Sequence, residues 1–72
     1  MLRVITFKVD ESIVEDIDIW AKRLNVNRSM LIRSSIKVFL AVIRDEKLLK
    51  EISEIVDSET RNVIKKLIER QY

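Results

Sequence analysis

Hydrophobic and polar positions change period once along this chain. Over residues 3–9, Ile5, Phe7 and Val9 alternate with Val4, Thr6 and Lys8, and a period of two predicts a short strand with one apolar face. From residue 11 the spacing becomes helical. Ile13, Ile17, Trp20, Ala21 and Leu24 form one stripe, which predicts a first helix over about residues 11–24, with Asp10 as N-cap and Glu11 in the first turn. Glu15, Asp16, Asp18 and Lys22 fall on its outer face. Val14 and Ile19 lie off the stripe and either widen the buried face or meet a second subunit. Asn25-Val26-Asn27 is the break, where Asn25 can take the left-handed conformation that Gly usually supplies and Asn27 can cap the next helix, with Val26 buried between the two.

The second helix is expected from residue 28 to at least 43, with a stripe of Leu31 or Ile32, Ser35, Ile36, Phe39, Leu40 and Ile43. Arg33, Lys37 and Arg44 lie elsewhere on it. Beyond Asp45 the pattern continues through Leu48, Leu49, Ile52, Ile55 and Val56 without a clear breaker. Asp57-Ser58-Glu59-Thr60 interrupts it as a candidate cap, and Val63, Ile64, Leu67 and Ile68 predict a last helix over about residues 59–70.

One strand among helices has no ladder partner of its own, and a buried strand with unpaired backbone groups is costly. A second copy of the chain would supply the partner. With 72 residues and no Cys or His, the chain also lacks a disulfide framework and the common zinc sites, so dimerisation is the expected route to a sufficient core. No acidic loop has the spacing of a hard-cation site, and no cofactor is expected. The longest apolar run, residues 38–43, is too short to span a bilayer, and no secretion signal opens the chain. An intracellular, cytoplasmic protein is expected. The absence of Gly and Pro, with abundant Ile, Glu, Lys and Arg, fits a thermophilic source.

Charge is arranged in blocks under a net +2. Residues 1–9 carry +2, residues 10–21 carry −5, residues 22–44 carry +6, residues 45–60 carry −4 and residues 61–72 carry +3. A basic strand and a basic second helix can form one positive face, although alternating blocks also arise on solvated helices with intramolecular pairs.

The alternating residues 4–9, the Asp10-Glu11 helix start, and Asn27-Arg28-Ser29 followed by Ile32-Arg33 resemble the ribbon-helix-helix family of DNA-binding proteins (MetJ/Arc superfamily). Asn25 and Asn27 stand where members usually show Gly and Ser or Thr. The resemblance implies a mainly α fold with one short β-strand: an intertwined homodimer with an intersubunit antiparallel two-stranded ribbon, here with a C-terminal third helix. Residues 1–44 would form the DNA-binding and dimerisation region, and residues 45–72 a helical extension packed on the same domain.

On that reading the ribbon enters the major groove of pseudo-palindromic double-stranded DNA, and neighbouring dimers can assemble on it. Val4, Thr6 and Lys8 would meet base edges: Lys8 the guanine acceptors, Thr6 a donor or acceptor, Val4 a thymine methyl. Arg3, at the strand end, would reach a phosphate or the groove floor. Asn27, Arg28 and Ser29 would hold a phosphate at the second helix's N-terminus. Arg33 would either reach a neighbouring phosphate or pair with an acidic residue of the first helix. Ile5, Phe7, Val9, Trp20, Ile32, Ile36 and Phe39 would make the dimer core. The expected function is a sequence-specific transcriptional regulator, a repressor in the first instance. The alternatives are an antitoxin whose residues 45–72 bind a toxin, and a dimerisation module that does not touch nucleic acid. No catalytic constellation is visible, because the serines have no His to activate them.

Overall fold

The computed structural model describes residues 1–71 and contains four helices: α1 (Glu11–Leu24), α2 (Arg28–Val42), α3 (Glu46–Ser53) and α4 (Ser58–Gln71). The chain divides into two compact units, Met1–Ser34 and the residues from Ser35 onward. None of the helices, among the described residues, is long and apolar enough to cross a membrane.

In the first unit the turn chemistry decides the helix ends. Asp10 has extended backbone angles (φ −63°, ψ 149°), and its carbonyl accepts from the Ile13 and Val14 N–H groups, but its side chain makes no capping bond. At the other end Asn25 is left-handed (φ 56°, ψ 44°), the one positive-φ residue described. Val26 N–H donates to the Ala21 carbonyl at 2.9 Å and Asn25 N–H to that of Lys22 at 3.2 Å. This pair of bonds is the Schellman closure, built here without glycine. Two residues later Asn27 Oδ1 accepts from Met30 N–H at 2.7 Å and opens α2. Of the α1 stripe Ala21 is buried and Ile17 half-buried, while Ile13, Trp20 and Leu24 stay exposed. Val26, expected to be buried, is half-buried.

The second unit contains the tightest packing. Asp45 accepts from Leu48 N–H at 3.1 Å and starts α3, and Asp57 accepts from Thr60 N–H at 3.0 Å and starts α4. The two helices close on Leu49 and Ile64, which are essentially inaccessible to solvent. Arg61 ties the connection. Its Nε donates to the Ser53 carbonyl at 2.8 Å and its Nη2 to the Val56 carbonyl at 2.9 Å, which satisfies acceptors that the end of α3 leaves open. Ser53 Oγ donates to the Lys50 carbonyl at 2.6 Å.

Two expectations are corrected. Residues 1–10 form neither helix nor strand, and no strand occurs among the described residues, so Val4, Ile5, Thr6, Phe7, Lys8 and Val9 do not make the ribbon that a ribbon-helix-helix fold requires. The physical reason is that alternation prepares a face but a strand exists only through ladder bonds, and every long segment after Asp10 is committed to helix. The extension is likewise two helices where a single third helix was expected: the break at residues 57–60 falls where it was read, and a further one precedes α3, where the pattern was read as continuing and Asp45 caps a new helix instead.

Little of the apolar content is covered. Hydrophobic residues are 47% of the sequence, yet the buried ones described are Ala21, Leu49 and Ile64.

Asn25→Ala should cost roughly 1–2 kcal/mol in urea unfolding, since Ala pays more than Asn for the left-handed region, whereas Asn25→Gly should be neutral or stabilising. Asp57 supplies a pH test. Hydrogen bonds from Thr60, its hydroxyl first and its backbone N–H second, hold the Asp57 carboxyl below the usual aspartate value, with Arg61 adding a smaller attraction. A lowered folded-state pKa means that the contribution is present above the usual value and lost as pH falls through the lowered one. The Thr60 amide shift should follow that titration, and Asp57→Asn should abolish it while keeping the cap.

Candidate nucleic-acid interface

Helix α2 begins with two exposed residues, Arg28 and Ser29, whose N–H groups occupy the first helical positions. Asn27 takes the third donor, that of Met30, with its side chain. The first two point along the axis at the positive end of the helix dipole, where an anion is favoured. Chain composition reinforces this: residues 22–44 hold six cations and no carboxylate.

The Arg28 side chain turns toward α1. Its Nε donates to Asp18 Oδ1 at 2.8 Å and its Nη2 to Asp18 Oδ2 at 2.9 Å, a two-pronged grip between α2 and the outer face of α1. The side chains remain 57% and 49% exposed, so solvent screens the pair strongly. Beside it lies a cleft of about 470 Å³ lined by Asp18, Ile19, Ala21, Lys22, Val26 and Arg28. Lys22 stands one helical turn after Asp18. Two cations and one carboxylate therefore line the same cleft with Ile19, Ala21 and Val26.

The candidate site residues fall into two groups. Asn27, Arg28 and Ser29 gather at the α2 start, and Arg33 is exposed in the second turn of the same helix. Arg3, Val4, Thr6 and Lys8 lie along the N-terminal segment, all exposed, with Val4 at 93%. Of the residues assigned to a dimer core, Ile5, Phe7, Val9, Trp20 and Ile36 are exposed, whereas Ile32 and Phe39 are half-buried.

Three participants escaped the sequence reading. An acidic partner on the first helix was weighed for Arg33; the arginine that takes one is Arg28, through Asp18. The two are ten positions apart across a turn, and no helical spacing connects them. Lys22 was read as outer-face charge, and the cleft next to it becomes visible only when the Schellman turn folds α2 back. Arg23 places its guanidinium carbon 5.1 Å from the centroid of the Trp20 ring, a cation–π contact. That pair did carry a signal, since residues three apart are neighbours on a helix.

In comparison with known proteins, the chain matches no family model, no curated protein and no solved structure.

Because the Asp18–Arg28 pair is so open to solvent, Arg28→Ala should lower the unfolding free energy by less than about 1 kcal/mol. Urea titration of the variant checks this. A larger loss would mark the pair as structural.

Proposed function

We propose that this chain is a DNA-binding regulator, in the first instance a transcriptional repressor, that acts as a homodimer. The observation that carries the reading is the exposed start of α2, where two axial N–H groups stand beside Arg28, with Lys22 lining the adjoining cleft, in a basic block of chain in which the nearby carboxylate is that of Asp18 on α1. Donors of this kind suit phosphodiester oxygens, which dominate affinity for DNA and carry no sequence information. Asn27, Arg28, Ser29 and Arg33 would hold the backbone, with Arg3 at a further phosphate. The N-terminal segment supplies what phosphate contacts lack: Lys8 for guanine acceptors, Thr6 as donor or acceptor and Val4 for a thymine methyl.

The exposed apolar area supports the dimer. Among the residues read as the dimer core, Ile5, Phe7, Val9, Trp20 and Ile36 are exposed and would be covered. Helix α2 fits the same view, since its apolar residues Met30, Ile36, Val38 and Leu40 are exposed around much of its circumference, and a helix apolar on several sides belongs inside an assembly. A two-fold dimer would favour pseudo-palindromic sites.

Selection of bound sequences from random duplex DNA, followed by titration on the winning site, tests the proposal. The protein should sediment as a dimer, and log affinity should fall with log salt by about 0.9 for each phosphate neutralised. Thr6→Ala/Lys8→Ala should flatten discrimination between sites, whereas Arg33→Ala should weaken all sequences alike. Full discrimination in the folded double variant would remove the N-terminal segment as reader. No salt-sensitive binding to long duplexes at low salt would overturn the function.

A further inference from the structure

Outside residues 1–10, the most exposed large apolar side chain described is Ile55, at 83%, in the connection between α3 and α4. It does not stand on a loose loop. Arg61 binds the Ser53 and Val56 carbonyls on either side of it, and the Ile55 N–H donates to the Ile52 carbonyl at 3.0 Å. The backbone thus holds an aliphatic side chain in water, which is unfavourable for a lone chain. The same clamp borders a cleft of about 400 Å³ lined by Ser53, Arg61, Ile64, Lys65, Ile68 and Glu69.

Charge divides between the knob and the cleft. Residues 51–60 hold the carboxylates of Glu51, Glu54, Asp57 and Glu59 and no cation, whereas residues 61–70 hold Arg61, Lys65, Lys66 and Arg70 against Glu69. The ion pairs among the described residues are Asp18–Arg28 and Glu46–Lys50, so none joins these two blocks within the chain. Arg61 holds carbonyl oxygens instead.

We propose that the α3–α4 unit is a self-association surface, in which Ile55 of one copy enters the cleft of a second copy and its own cleft receives the second copy's Ile55. A second copy is the fitting occupant because knob and cleft lie side by side on one unit with opposite surroundings. Carboxylates flank Ile55, and Arg61 and Lys65 border the cleft. A two-fold axis between them sets each knob over the other copy's cleft and brings Glu54 toward Lys65 at both crossings. Closing the contact takes Ile55 out of water against Ile64 and Ile68. The surface shares no residue with the dimer core of the proposed function and goes beyond that reading. Two different two-fold contacts on one chain carry assembly past the dimer, to a closed tetramer or an open array.

Sedimentation velocity over a range of protein concentrations at low salt counts the association steps. Ile55→Asp should remove one step and, since Ile55 is exposed, should keep the helical content seen by circular dichroism. Dimers should then replace the tetramers or larger species of the unaltered protein. If monomers replace dimers, the α3–α4 contact stands and the homodimer of the proposed function fails. A folded Ile55→Asp variant that sediments like the unaltered protein would overturn the second copy as occupant and leave the cleft to an acidic, apolar segment of another protein. Glu54→Lys and Lys65→Glu should each weaken the step by on the order of tenfold, because each places like charges across the interface twice. Mixed in equal amounts, the two variants should recover it, since both crossings of the mixed contact again join opposite charges. A mixture that associates no better than either variant alone would overturn the two-fold contact.

Discussion

The governing constraint is apolar surface that one copy of this chain does not cover. A short chain buries a small fraction of its area, and this one concentrates its burial on Leu49 and Ile64 between α3 and α4, with Ala21 in the first unit. Many of the other aliphatic and aromatic side chains meet water, along residues 1–10, on α1 at Ile13, Ile19, Trp20 and Leu24, and around α2 at Met30, Ile36, Val38 and Leu40. Large exposed patches of this kind mark interaction surfaces. The features that hold each unit together are accordingly local: caps, a Schellman turn and an arginine clamp supply order where the core is thin.

Those local devices explain why much of the helical layout was legible. Asn25 was expected in the left-handed region and Asn27 as a cap because each has a short polar side chain that bonds to nearby backbone, and both do what that chemistry allows. The first helix occupies its expected span, and the second ends one residue before the expected minimum. Asp57 was likewise readable as a cap, since three residues separate it from the N–H it accepts. Signals of this sort lie within four positions of the residue that responds to them.

What was not legible depends on partners far along the chain or on no partner at all. Alternation from Val4 to Val9 is a property of the side chains, whereas a strand is a property of two backbones, and the chain supplies one. The clamp that closes the connection between α3 and α4 had no signal: Arg61 reaches back to the Ser53 and Val56 carbonyls, and before folding nothing distinguishes Arg61 from the other cations of the last block. The same limit hid Asp18. An acidic residue on the outer face of an amphipathic helix reads as solvated charge until a turn brings a guanidinium over it.

That hidden pair changes how the charge blocks should be understood. Residues 10–21 and 22–44 carry −5 and +6, and read along the chain they suggest one acidic and one basic face. Asp18 and Arg28 cross that division, so part of the positive block is neutralised at the position where the helix dipole would make it most effective for an anion.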